Sequence, residues 1–292
     1  MAFTFGHPEI KQVGTEGKGP LMEGKRVMVT GASSGIGYGI AERALQRGAA
    51  EVWICSRNEG RIKAAADKLN AQYGRVHWAA IDVVDVVDAE ALNKFADEMA
   101  AGGPIDFLFA NAGVNVMRPF EVFDRETFDM VMGPNFYGVY NADKAVIDHM
   151  LKQGHGHILN VSSMEGYIHN GYHTAYCASK AAVMGLTEAM RYEYADRNIK
   201  VACICPGPVM SNIWGKDPMG NVNPDAKAPD MAITELESAD EIFAGIEEDR
   251  NIIIVTDTAR TCWQKLHENP ESADRWVTKY TERNRQNLGT RG

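Results

Sequence analysis

Short runs of consecutive apolar residues recur along the chain at 26–30, 51–55, 76–80, 106–110, 157–161, 200–205 and 251–255. Between them, stretches such as 36–47, 61–73, 89–101 and 175–196 carry apolar positions at helical spacing. A short run without polar alternation suits a strand covered on both faces. Strands that alternate with helices predict βαβ crossovers and a parallel sheet. Seven runs predict an α/β fold: a doubly wound, seven-stranded parallel sheet with helices on both faces, in a single domain.

The rhythm fails in two places. Residues 1–22 are Gly-rich and aperiodic, which predicts an arm before a domain spanning 23–292. Between Pro206 and Ala239 the chain is rich in Gly, Pro, Asn and Asp. One more strand-like run follows, so this segment reads as a loop within the same domain, with a lid expected over about 211–238. The remaining tail, 258–292, is amphipathic and predicts helix, with Trp263, Leu266, Trp276, Val277 and Tyr280 available to pack.

Composition narrows the class. At 45% hydrophobic and 24% charged, 292 residues can build a large core. A net charge of −9 argues against nucleic acid or an anionic membrane as partner. No apolar run is long enough to span a bilayer, and Met1–Gly19 shows no secretory h-region. Five cysteines without a CxxC pair read as reduced thiols in a cytoplasmic protein, and no metal site is expected.

Chemistry enters at the first strand's end. There Gly31, Ser33, Ser34, Gly35, Ile36 and Gly37 form a glycine-rich turn that opens directly into a helix. Such a turn lets the backbone approach a ligand, and the helix N-terminus offers unpaired N–H groups to a pyrophosphate. After the second strand, Ser56 stands where a carboxylate would bind ribose hydroxyls, and Arg57 follows. A guanidinium can clamp a 2′-phosphate, which favours NADP(H) over NAD(H).

Further along, Tyr176 and Lys180 are four apart in a helical stretch and share one face. An ammonium beside a phenol favours the phenolate and brings its pKa towards the working range. Ser162-Ser163 closes the fifth strand, at the edge where open parallel sheets bind ligands.

With these residues in this order, the chain resembles the single-domain short-chain dehydrogenases/reductases, from about Gly24 to Ser211. The resemblance rests on the TGASSGIG turn, Asp82-Val83, Asn111-Ala112-Gly113, Asn135, Ser163 with Tyr176 and Lys180, and Pro206-Gly207. It implies a Rossmann-type fold and an oxidoreductase that interconverts a secondary alcohol and a ketone. It implies Tyr176 as general acid–base, Lys180 on the nicotinamide ribose, Ser163 on the carbonyl, and Asn135 holding a water that links Lys180 to solvent. It places Asp82 and Val83 by adenine, Asn111, Ala112 and Gly113 along the cofactor, and Pro206, Gly207, Val209 and Ser211 by the nicotinamide. It also implies a homodimer or homotetramer built on the helix of Tyr176 and the one before it, where Met184, Met190 and Tyr194 could supply contacts or equally face the sheet.

Departures are visible. Ala110 replaces the first asparagine of the usual NNAG, Pro134 precedes Asn135, and Thr256-Asp257-Thr258 replaces a C-terminal Asp-Gly-Gly. The last bears on the tetramer. For the substrate, Met164, Tyr172, Met210 and Trp214, with Tyr167 nearby, suit a hydrophobic cyclic ketone. Glu165 and His169 are the polar exceptions in those loops. A non-catalytic nucleotide-binding protein on the same fold is the other reading, and retention of Ser163, Tyr176 and Lys180 argues for the enzyme.

Overall fold

The computed structural model describes residues 20–83, 86–214 and 228–287. Its strands are β1 (Arg26–Thr30), β2 (Glu51–Ser56), β3 (Val76–Ala80), β4 (Phe107–Ala110), β5 (Gly156–Val161), β6 (Ile199–Pro206) and β7 (Ile252–Val255). All seven pair in parallel, in the order β3-β2-β1-β4-β5-β6-β7. Every expected strand is present, with ends shifted by at most one residue. The helices are α1 (Gly35–Gln46), α2 (Glu59–Tyr73), α3 (Val86–Ala101), α4 (Arg125–Met132), α5 (Gly138–Gln153), α6 (Thr174–Glu193), α7 (Glu235–Glu247), α8 (Asp257–Glu268) and α9 (Pro270–Asn287).

Side chains that alternate along a strand feed two separate cores. On β1, Val27 and Val29 join one cluster while Met28 joins the other. The first cluster takes Ile40 and Leu45 from α1, Ile62 and Leu69 from α2, and Phe243 from α7. The second takes Leu92 and Phe95 from α3, Val146 and Met150 from α5, and Val183 from α6. A third cluster seats α8 and α9 against β6 and β7 through Cys203, Cys205, Ile254 and Cys262, with Trp263, Leu266, Trp276 and Val277 at its margin. The tail's two helices, α8 and α9, thus pack onto the sheet through this cluster. All five cysteines are buried and unpaired.

Several boundaries differ from the expectation. Met22 is fully buried in the first core and Pro20–Met22 forms a 3₁₀ turn, so the packed unit begins before residue 23. Of the expected lid, 215–227 lies outside the described residues. Its start is anchored by a 3₁₀ turn, Asn212–Trp214, and by the Trp214 indole donating to the Val209 carbonyl at 2.8 Å. Its expected end is helix, because Thr234 and Glu237 form a capping box that starts α7. Met184, Met190 and Tyr194 rest against the chain's own core clusters. Pro134 sits in a π-helical turn, Gly133–Tyr137, between α4 and α5. Proline offers no N–H to the preceding turn, so the helix is interrupted there.

Candidate functional site

Strand order reverses beside β1, between β1 and β4. Open α/β sheets bind ligands outside the strand carboxyl ends at such a switch point. A cavity of about 1400 Å³ lies there and runs from the β1–α1 turn past β4 and β5 to α9.

At the dinucleotide end, Gly31 and Gly35 have φ of +69° and +60°. A Cβ on Gly31 would meet the Ala112 Cα at 2.7 Å, and one on Gly35 would meet the Ser211 Cβ at 2.8 Å. Ser34 caps α1 without a side-chain hydrogen bond to its first turn. The helix N-terminus therefore presents its backbone N–H groups beside a cradle that only glycine fits, as a pyrophosphate requires. The Thr30 hydroxyl accepts from the Asn111 and Ala112 N–H groups at 3.0 and 3.1 Å, and the Asn111 amide donates to the Thr30 carbonyl at 3.0 Å. These bonds lock the β4 loop to the glycine turn. Gly37 lies beneath, where a Cβ would strike the Asn111 amide. Ser33, Ile36, Asp82, Val83, Gly113, Pro206, Gly207, Val209 and Ser211 also line the cavity.

At the end of β2, Ser56, Arg57 and Asn58 line the same cavity, joined by Arg61. Asn58 caps α2 by accepting from the Arg61 N–H at 2.9 Å. Arg61 is thus a second arginine on this part of the wall, which sequence reading missed. The Asn-x-x-Arg spacing at a helix start was its signal.

At the reacting end, Ser163, Tyr176 and Lys180 face one another. Ser163 follows β5, and its hydroxyl accepts from the Glu165 N–H at 3.1 Å. Lys180 reaches back from α6 to donate to the Val161 carbonyl at 2.8 Å, with its Nζ 5.7 Å from the Tyr176 ring centre. Burial pushes the Tyr176 phenol above its ordinary value, the Glu165 carboxylate adds to this, and the Ser163 hydrogen bond draws it partly back. Burial lowers Lys180 to about 8. The protein's own field thus keeps the phenol protonated, the form that donates to a carbonyl oxygen.

Asn135 is fully buried in the π turn. Its amide bridges the Val114 backbone, accepting at 2.7 Å and donating at 2.9 Å, and donates to Ser179 at 3.0 Å. Both ends of its side chain are therefore bound to protein. A Cβ on Gly113 would meet Asn135 Oδ1 at 3.1 Å and Lys180 Nζ at 3.5 Å, so that glycine lets the two approach.

Of the expected substrate residues, Met164 and Trp214 line the cavity, with Val114, Val116, Met117, Met231, Trp276 and Tyr280. Tyr172 and Met210 do not. The Tyr172 hydroxyl accepts from Arg285 at 2.9 Å, and Met210 is 49% exposed. Tyr167 donates to the Ala259 carbonyl and stacks edgewise on Trp263, which ties α8 down. His169 is exposed and off the cavity; the histidine on its wall is His173. Among the described residues, no group of three or more His, Cys, Asp or Glu is placed to hold a metal, and no helix is long and apolar enough to cross a membrane.

The fold and this constellation define an oxidoreductase class, and the comparisons agree. The short chain dehydrogenase family model matches residues 25–220, and the chain belongs to that family. It is 36% identical over 219 residues to oxidoreductase UcpA of Salmonella typhimurium, covering 75% of this chain and 81% of that protein. It is 37% identical over 190 residues to the 3-oxoacyl-(acyl-carrier-protein) reductase FabG of Chlamydia muridarum, covering 64% of this chain and 75% of that one. The crystal structure of a short chain dehydrogenase from Burkholderia cenocepacia in complex with NADP superposes with a TM-score of 0.73 at 27% identity, covering 88% and 98% of the two chains.

Proposed function

We propose that this protein uses NADP(H) to interconvert a ketone on a hydrophobic, cyclic body and the corresponding secondary alcohol. The observation that carries the reading is the convergence of Ser163, Tyr176 and Lys180 in one cavity with the bare N-terminus of α1. When bound, the cofactor supplies or receives the hydride at the carbonyl carbon. Ser163 and Tyr176 hold the carbonyl oxygen, and the Tyr176 hydroxyl gives it a proton as it becomes an alcohol. In the reverse direction the phenolate takes that proton. Lys180, fixed by Val161, stands where it can hold ribose hydroxyls and favour the phenolate electrostatically. Asn135 keeps the β4 loop in register beside Lys180.

Arg57 after β2 and Arg61 in the first turn of α2, with Ser56 in place of a carboxylate, support the choice of NADP(H). Val116, Met117, Met164, Trp214 and Trp276 on the wall support an apolar substrate body. The relative that reduces a 3-oxoacyl group supports ketone reduction. The test is a panel of cyclic and acyclic ketones followed by cofactor absorbance, with NADPH and NADH in parallel. Consumption of NADPH with at least one ketone is expected; binding of NADPH without turnover on any of them would favour a non-catalytic nucleotide-binding protein.

A further inference from the structure

Beyond the three reacting residues, the substrate end holds a buried polar cluster that the proton and hydride steps do not use. Glu165 lies in the 3₁₀ turn Met164–Gly166, two residues after Ser163. His173 immediately precedes α6, three residues before Tyr176. The Glu165 carboxylate accepts from His173 Nδ1 at 2.8 Å, from the Asn170 amide at 3.0 Å and from the Cys177 thiol at 3.5 Å. All four residues are buried. Burial opposes a charge on His173, but Glu165 outweighs it and carries the imidazole above its ordinary pKa. The ring meets Tyr176 edge-on with centres 6.4 Å apart, and His173 lines the cavity. With Nδ1 committed to Glu165, the opposite nitrogen, Nε2, is left for the cavity. A single carbonyl oxygen is already met by Ser163 and Tyr176, so this third donor serves another oxygen.

The outer wall carries charge. Helix α9 is pinned over the loop before α6: Thr281 accepts from the Gly171 N–H at 3.1 Å, and the Asn284 amide donates to the Gly171 carbonyl at 3.2 Å. Lys279 and Arg283, four apart on one face of α9, line the cavity, and Arg118 lines it from the loop after β4. Among the described residues, the carboxylates lining this end are Asp230 and the fully engaged Glu165, and Asp124 stands beside Arg118 outside the lining. A cationic mouth on a chain of net −9 is selective placement, and opposite charge is what it would recruit.

We propose that the substrate carries a carboxylate in addition to its ketone, with His173 as the inner donor to that group and Arg118, Lys279 and Arg283 as its outer cations. This rests on the ketone-reducing reading above and adds a substrate class to it. Glu165 acts as a positioning residue that fixes the His173 ring and its charge. A planar two-oxygen anion suits one ring N–H and one guanidinium, and the apolar wall takes the rest of the molecule.

The experiment compares benzoylformate and 4-oxo-4-phenylbutanoate with their methyl esters. Binding to NADP⁺-loaded protein is read by titration calorimetry and turnover by NADPH absorbance. At least one acid should bind about tenfold or more tighter than its ester. Lys279→Gln with Arg283→Gln, both at exposed positions, should remove most of that difference and leave ester binding within about twofold. Glu165→Gln and His173→Asn should raise KM for the acid with a smaller change in kcat. Equal affinity for acid and ester, or variants that weaken both alike, would overturn the carboxylate site. Reduction of neutral ketones without acid preference would overturn this inference and leave the ketone-reducing reading standing. Tight, charge-dependent acid binding without reduction of any ketone would keep the anion site and remove the reduction reading.

Discussion

The Lys180 ammonium donates to the Val161 carbonyl at 2.8 Å, two residues before Ser163. One hydrogen bond thus ties the helix that carries Tyr176 to the strand that delivers Ser163. Burial holds Lys180 down to about 8 and holds the phenol up. Ketone reduction needs the protonated phenol and the ammonium. Its rate should stay level through neutral pH and fall as Lys180 loses its proton near 8. Tyr176→Phe should cost about 10²–10⁴-fold or more in kcat with little change in NADPH binding, because it removes the donor and keeps the ring. A pH–rate profile with both proteins checks this, and wild-type turnover by the Phe variant would disprove the role.

The second expectation concerns the adenosine end. Arg57→Ala should weaken NADPH binding by about tenfold or more and NADH by little, since only the former bears a 2′-phosphate. Arg61→Ala should act in the same direction. Dissociation constants for both cofactors measure it, and equal losses would remove the two guanidinia from phosphate recognition.

The cavity lining at the ends of β1 and β2 was legible because its signals are local: a glycine turn between a strand and a helix, and an arginine at a strand end. The seven strands were legible for the same reason, since strands buried on both faces read as apolar runs. The substrate half depends on contacts between distant segments. Gly171 meets Thr281 across 110 positions, and nothing in the tail's amphipathic pattern says which loop its polar side will cover. Glu165 and His173 pair across a loop whose left-handed Tyr172, φ 71°, sets the direction of the chain.

The third prediction is about stability. Asp143 is buried in α5, accepts from the Asn160 amide at 3.0 Å, and is pushed up by burial to about 8. Its folded pKa lies above the unfolded value of 3.8, so the folded state binds this proton more tightly. The group's favourable contribution is complete below 3.8 and is lost as pH rises towards 8, at up to about 1.4 kcal/mol per unit. Asp143→Asn keeps the acceptor for Asn160 and cannot ionise. It should raise Tm at pH 8 and narrow the gap in Tm between pH 5.5 and 8. A variant less stable than wild type at pH 8 would show that the ionised carboxylate is the form the fold needs.

The last prediction is the dimer. The outward stripe of α6 carries Ala178, Gly185, Ala189 and Tyr192, of which the first three are small enough to let a second helix approach closely. On α5 the corresponding stripe carries Tyr140, Lys144 and Asp148, led by Tyr137 at the end of the π turn. Tyr137, Tyr140 and Tyr192 are 56%, 45% and 63% exposed, unusual for large rings unless something covers them. A two-fold axis across these helices would bury them and set Lys144 against a carboxylate of the other copy. Met184, Met190 and Tyr194 are already spent on the chain's own core, so the tyrosines and small residues take their place. Gly185 supplies the test. A Cβ there meets nothing within 4 Å, so Gly185→Glu should leave the fold of one chain intact, and replacing glycine should favour the helix. At the centre of a close helix pair the same side chain would hold the copies apart. Light scattering at micromolar concentration should find wild type at twice the chain mass and Gly185→Glu at or near the mass of one chain. If the variant stays dimeric, the copies meet through another surface; if wild type is a monomer, the exposed tyrosines need a different explanation.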